Sequence, residues 1–223
     1  MSETDASKLS RVRVLSVSAT YGAGGSVIAP GVAKELGLDF FDRLIHGDET
    51  RNVDSIMERL TREERDQAPP GRIVSGLSSL SSTIGLPVLG VDDLDPRGQL
   101  RRQVQTSVSR VASDAGGVIL GRAAAVVLGS HPTAFNVRLH GPSDRCLRQG
   151  AAIEGVTEAV ARQHQTDSDR SWGRFVTRLF DRDPSDSKLY HLVLDTTVLP
   201  LDASIALISG AARAFWKQAG LPD

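Results

Sequence analysis

The residues whose types and spacing could do chemistry gather near the amino end of the chain. Ser18-Ala19-Thr20-Tyr21-Gly22-Ala23-Gly24-Gly25-Ser26 joins an apolar, β-rich run (Val14, Leu15, Val17) to a helical pattern on Ile28, Val32 and Leu36 that stops at Gly37. A glycine-rich turn in that position lets backbone N–H groups converge on an anion, and the start of the helix adds partial positive charge. Against the phosphate-loop pattern, Gly24 takes the second glycine and Ser26 the Mg2+-binding hydroxyl. Ala19 stands in place of the first glycine and Gly25 in place of the lysine. The strand–turn–helix context favours phosphate binding over a turn that only packs strand on helix. Pro30 falls near the sixth helical residue, where its missing N–H costs about 3 kcal/mol, so the helix is expected to kink there or to start late.

Arginines form the second group of candidates. The basic set has 26 members, and all except Lys8, Lys34, Lys188 and Lys217 are arginine. Any grip on phosphate must therefore come mainly from guanidinium forks and backbone amides. Arg170, Arg174 and Arg178 recur at i, i+4 and i+8 on one helix face, in a stretch from Arg145 to Arg182 where arginines outnumber acids. Spacing alone leaves two readings open, phosphate contact or a solvated face paired with Asp167, Asp169 and Asp181. Asp42 closes a short strand, Phe40-Phe41, at the edge where open α/β sheets bind ligands, and a helix cap is the equal alternative. Arg122 follows the buried-type strand Val118-Ile119-Leu120, where a charge needs a partner; an ion pair with Asp42 or Asp195 would supply one.

Other chemistries lack support. The five histidines are scattered without i, i+4 pairs, which disfavours a zinc site, and no Gly-x-Ser-x-Gly elbow occurs. Cys146 reads as a packed structural thiol, and Trp172 could touch a base or pack the Arg-rich segment down. Aromatic residues make up 4% of the chain, too few for base-stacking platforms.

These residues must be positioned by an α/β frame. Leu100, Val104, Val108 and Val111 predict a helix. Phe135, Val137 and Leu139 predict a strand whose other face, Asn136, Arg138 and His140, is wetter. Residues 143–183 read as helical, Tyr190 to Leu194 as a strand, and Asp202 as the cap of a last helix with Ile205, Ile208, Ala212 and Phe215 inward. Five strands, each followed by a helix or an insertion, imply a parallel sheet. Residues 1–10 read as a flexible tail, 46–66 as a charged helix, and 69–94 as a long Ser/Gly/Pro-rich connection that is mobile or functional.

The 223 residues are 40% hydrophobic and 24% charged, which suits one domain of generous size or a core domain with insertions. A single cysteine excludes an internal disulfide. The polar start lacks a signal peptide, and Arg122 interrupts the best apolar run, so a cytoplasmic location without membrane contact is expected. A formal charge of -1 gives no global case for nucleic acid.

Tyr21-Gly22-Ala23-Gly24-Gly25-Ser26 followed by Leu38-Asp39-Phe40-Phe41-Asp42-Arg43 resembles the opening of the cytidylate kinase-like proteins, a branch of the nucleoside monophosphate kinases in which the loop lysine is commonly missing. Val118-Ile119-Leu120-Gly121-Arg122, Pro142 to Arg148, Asp167-Ser168-Asp169-Arg170 and Tyr190 to Thr197 extend the resemblance in order, skipping roughly 46–95. It implies a P-loop nucleoside-monophosphate-kinase-like three-layer fold over 11–218, with an acceptor-binding insertion at 46–100 and an Arg-rich lid at 143–185. ATP with Mg2+ would be the donor, held by Tyr21, Gly22, Ala23, Gly24, Gly25, Ser26 and Val27, with Ser26 on the metal. Arg170 and Arg174 would be catalytic, and Asp42, Arg122 and Arg178 would face a CMP-like acceptor. The partners implied are a nucleotide donor and a small phosphorylated acceptor, with a homodimer allowed. Ala123 replaces the acid that follows the Gly-Arg pair in cytidylate kinases proper, which bears on cytidine specificity; the missing lysine bears on rate. Two other readings stay open: a nucleotide-binding sensor or regulator without kinase activity, and a small-molecule kinase with a non-nucleotide acceptor.

Overall fold

The computed structural model describes residues 12–42, 96–114, 116–121, 123–129 and 131–221, with the backbone alone at 96 and 170–172. The chain divides into two compact units, one of Met1–Leu44 with Val104–Asp223 and one of Ile45–Gln103. The first contains every cavity-lining residue discussed below. Of the second, the described part is the start of a helix. The readings placed on 1–10, 46–66 and 69–94, and on Arg43 and Arg122, lie outside the described residues.

The sheet is parallel throughout. β1 (Val14–Ala19) lies at its centre between β3 (Gly117–Leu120) and β4 (Ala134–His140), with β2 (Phe40–Phe41) beyond β3 and β5 (Leu192–Asp195) beyond β4. Register pairs Val17 with Leu120 on one side and with Val137 on the other. All five strands therefore end at the same edge, and residues 19–20, 42, 121, 141 and 196 leave the sheet together.

The helices are α1 (Gly25–Leu36), α2 (Pro96–Ser113), α3 (Ala124–Leu128), α4 (Ser143–Glu154), α5 (Glu158–Phe180) and α6 (Leu201–Gln218). α1 forms because Ile28, Val32 and Leu36 share one stripe, and all three are buried with Leu15, Val17, Phe135, Val137 and Leu139. α6 adds Ile208, Ala212 and Trp216 to the same core. On α2, Leu100, Val104, Val108 and Val111 are buried as their spacing predicts. Gly155, in the left-handed region, ends α4, and the Thr157 side chain caps α5, so the helical stretch 143–183 is two helices.

Two expectations are corrected, and a third is narrowed. β4 has no wet face along most of its length: Asn136 is 1% exposed and Arg138 9%, because β4 is flanked by two strands and carries helices. Ser16 Oγ donates to Asn136 Oδ1 at 2.7 Å, which gives the buried amide a polar neighbour. α6 is entered from Pro200, and Asp202 sits inside its first turn. α1 starts at Gly25 with Pro30 inside it, so the helix does not start late. The missing Pro30 N–H would have met the Ser26 carbonyl, so that first-turn carbonyl is released from helix bonding.

Trp216 is the largest fully buried side chain, 1% exposed, and its Nε1–H donates to the Thr133 carbonyl at 2.8 Å. Trp216→Phe removes the donor and leaves that carbonyl unpaired. Urea unfolding should show a loss of about 1–3 kcal/mol with the slope unchanged.

Candidate functional site

A cavity of about 340 Å³ opens at the carboxyl edge of the sheet. Its walls include Thr20, Tyr21, Gly22, Gly24, Gly25 and Ser26 from the turn, Asp42 from the end of β2, Leu120 and Gly121 from the end of β3, Glu154 from α4 and Ser168 from α5.

The turn is built so that amides face this space. Gly24 enters α1 in the left-handed region, φ 76°, and no side chain caps the helix. The first amides of any helix have no intrahelical acceptor, and here a residue without a side chain leaves them uncovered. Two carbonyls are pulled back from behind. Gln149 Nε2 donates to the Gly22 carbonyl at 2.9 Å, and Thr196 Oγ1, fully buried, donates to the Ala23 carbonyl at 2.7 Å. In a trans peptide the N–H points opposite the C=O, so anchoring the Ala23 carbonyl aims the Gly24 amide the other way. The Ala23 N–H closes the turn on the Thr20 carbonyl at 3.1 Å.

Tyr21 ties the turn to the helices. Its N–H donates to Asp169 Oδ1 on α5 at 2.9 Å, and its hydroxyl donates to Glu154 Oε2 at 2.9 Å. His164 Nδ1 lies 2.9 Å from that same oxygen. Loss of solvation, then the Glu154 carboxylate, pushes the Tyr21 phenol up to about 12. The hydrogen bonds from His164 and Tyr21 hold Glu154 below the usual carboxylate range. Cys146 is buried, and burial pushes its thiol up, as a packed structural thiol requires.

The two departures from the phosphate-loop pattern meet in space. A Cβ added at Gly25 would stand 2.7 Å from the Ala19 Cβ and 3.3 Å from Leu120 Cδ1. The methyl group present at the first-glycine position therefore fills the space that any side chain at the lysine position would need.

Of the residues singled out in the sequence, Tyr21, Gly22, Gly24, Gly25, Ser26 and Asp42 line the cavity together. Ala23 is buried behind it, and Val27 is exposed on α1. Arg174 is exposed and Arg178 half-buried further along α5, and neither lines the cavity. The side chains of Arg170 and Trp172 and the whole of Arg122 are outside the described residues. Asp195 takes Arg145 at 3.2 Å and the Thr197 hydroxyl at 2.6 Å, and the latter chiefly holds its carboxyl below the usual range. Gln149 and Glu154 carry no motif signature, and Asp169 and Thr196 lie in quoted motifs that assign them no role; only the fold shows that they meet the turn. Among the described residues no group of three or more His, Cys, Asp or Glu is placed to hold a metal ion.

A parallel sheet of order β2-β3-β1-β4-β5, flanked by helices and with an uncapped glycine turn after its central strand, defines a P-loop kinase-like α/β fold. The chain belongs to the cytidylate kinase-like family, whose profile matches residues 14–198. No curated protein matches the sequence. Among solved structures, an uncharacterized protein from Eubacterium ventriosum is similar with a TM-score of 0.59 at 14% identity, covering 90% of this chain and 98% of its own. A gluconokinase from Sinorhizobium meliloti gives a TM-score of 0.46 at 19% identity, covering 93% and 94%. A shikimate kinase from Bacteroides thetaiotaomicron gives 0.42 at 14%, covering 92% and 98%. The first of these is a likeness of fold alone. No described helix is long and apolar enough to cross a membrane.

Two mutational tests follow from this packing. Thr196→Val keeps the shape but strips the Ala23 carbonyl of its donor, and a thermal melt should register a loss of about 1–3 kcal/mol. Gly25→Ala should destabilise by about 1–3 kcal/mol through overpacking, and adding Ala19→Gly should return most of it. A double-mutant cycle read by urea unfolding would show a coupling above about 1 kcal/mol; simple additivity would mean the two positions do not share the space.

Proposed function

We propose that this protein transfers a phosphoryl group from ATP to a nucleoside monophosphate, with a CMP-like acceptor. The observation that carries the reading is the uncapped start of α1 at Gly24, facing a cavity that Ser26 and Asp42 also line. Family membership supports phosphotransfer as the reaction class. The chemistry of the walls fits a Mg2+-triphosphate: glycine-flanked amides suit phosphate oxygens, and a hydroxyl and a carboxylate, both hard oxygen donors, suit the metal.

In this reading amides between Gly22 and Ser26, those of Gly22, Gly24, Gly25 and Ser26, orient the phosphates and the Ser26 hydroxyl ligates Mg2+, which when bound neutralises phosphate charge. Arg170 and Arg174 bring positive charge to the phosphoryl group in transfer, in the role the missing lysine would otherwise share. Asp42, Arg122 and Arg178 face the acceptor. Residues 143–185 act as the lid that excludes water, and 46–100 form the acceptor-binding part of one domain spanning 11–218.

A second reading, nucleotide binding without transfer, is favoured by the Ala19–Gly25 packing, which denies a lysine its place beside the phosphates. The two readings separate in one experiment. Melting temperature is measured with ATP, ADP and each nucleoside monophosphate, with and without Mg2+, followed by a coupled turnover assay. A ligand at 100 times its Kd adds about 2.7 kcal/mol. Shifts with ATP and with one monophosphate, and turnover of that pair, are expected. A shift with ATP and no transfer to any acceptor selects the second reading, and no shift with any triphosphate overturns both. If transfer occurs, Arg170→Ala should lower kcat by about 100-fold or more while donor affinity changes little.

A further inference from the structure

The Tyr21 amide belongs to the turn that lines the cavity, and the group it meets there is a carboxylate. Asp169 Oδ1 accepts that N–H at 2.9 Å, joining residues 148 apart in the chain. Asp169 is half-buried, and Ser168 beside it lines the cavity. Its charge acts on the buried Arg138 of β4 and on the Cys146 thiol of α4. The carboxylate therefore lies among the turn, the sheet and α4 rather than on a solvated helix face. A turn shaped to present amides to an anion has taken one from its own chain.

We propose that Asp169 is a positioning residue that holds the anion place of this turn until a ligand phosphate displaces it, which makes donor binding the event that breaks the hydrogen bond from the turn to Asp169 of α5. The proposal rests on the phosphate-binding reading given above. A phosphate oxygen and Asp169 Oδ1 carry like charge and would compete for one N–H, so they exclude each other. The other ties of the turn run to α4 and to the loop after β5, through Gln149 and Glu154 on the first and Thr196 on the second. Those ties do not use the Tyr21 amide. Displacing Asp169 therefore breaks this tie of α5 to the turn while the turn stays seated on α4. α5 itself stays on α4 through Gln165 with Ser143, the packing of Ala161 with Leu147 and Ala151, and the contact of His164 with Glu154. Asp169 and Arg174 lie further along the same helix than those contacts.

The test titrates the full chain and the variants Asp169→Asn and Asp169→Ala with inorganic tripolyphosphate, then with ATP and Mg2+, by calorimetry. Melts of the unliganded proteins run alongside, and the Tyr21 amide is followed by 15N-resolved NMR. Asp169→Asn should bind tripolyphosphate about tenfold tighter than the natural chain, and Asp169→Ala at least as tightly, while neither melts higher without ligand. The Tyr21 amide signal should move on adding tripolyphosphate to the natural chain and should start displaced in Asp169→Ala. A residue that only supports the fold would lower the melting temperature and leave affinity unchanged or weaker. Equal or weaker binding by both variants, with binding by the natural chain intact, overturns the proposal and leaves the phosphate-binding reading standing. Absence of binding to both probes in all three proteins overturns that reading and the proposal with it. Should Asp169→Ala fail to fold, the Asp169→Asn affinity decides alone.

Discussion

Two backbones touch where the turn crosses α4, and most of the site's geometry depends on that approach. Gly22 has φ 71°, and a Cβ there would overlap the Cys146 carbonyl. A Cβ at Gly150 would lie 2.6 Å from the Tyr21 ring and 3.1 Å from the Gly22 Cα. With neither present, the turn rests directly on the helix. Gln149 can then reach the Gly22 carbonyl, and the Tyr21 ring passes over Gly150 to put its hydroxyl on Glu154 at the helix end. These attachments fix the course of the turn, so its geometry follows from a steric allowance between the turn and α4.

The electrostatics of the cavity rest on few charged groups. Among the described lining residues the ionisable groups are Tyr21, Asp42 and Glu154, with no lysine or arginine. Attraction for an anion therefore comes from backbone dipoles at the start of α1, reinforced by whatever cations arrive with the ligand or with side chains that swing in. Glu154 stays ionised at the wall, because its Oε2 receives the Tyr21 hydroxyl and lies against His164. Arg138, buried one strand over from β1, interacts with the charge of Asp169.

What the sequence revealed was local. The strand–turn–helix opening, the buried stripes of α1 and α2 and the order of the strands were legible because each is written in a short period or in a glycine cluster: Ile28, Val32 and Leu36 sit four apart, and Gly24 marks the turn. The face of β4 was misread because alternation reports polarity, and Asn136 and Arg138 are polar side chains inside the protein. Five of the six cavity-lining residues named from the sequence, all except Asp42, come from one continuous motif. The ties that Glu154, Asp169 and Thr196 make to the turn were not legible, because each arrives through tertiary packing from more than a hundred residues away. The arginine series on α5 had the right spacing for a shared face, yet spacing says nothing about where along the helix the cavity lies.

The contact between Ala19 and Gly25 also has a historical meaning. A single change that restores a side chain at 25 meets the Ala19 methyl group, and a single change that removes that methyl leaves a void in the central strand with nothing gained at the turn. Each half-step is worse than either end. The two positions form an epistatic lock: a chain that carries both residues does not return to a lysine-bearing loop one substitution at a time.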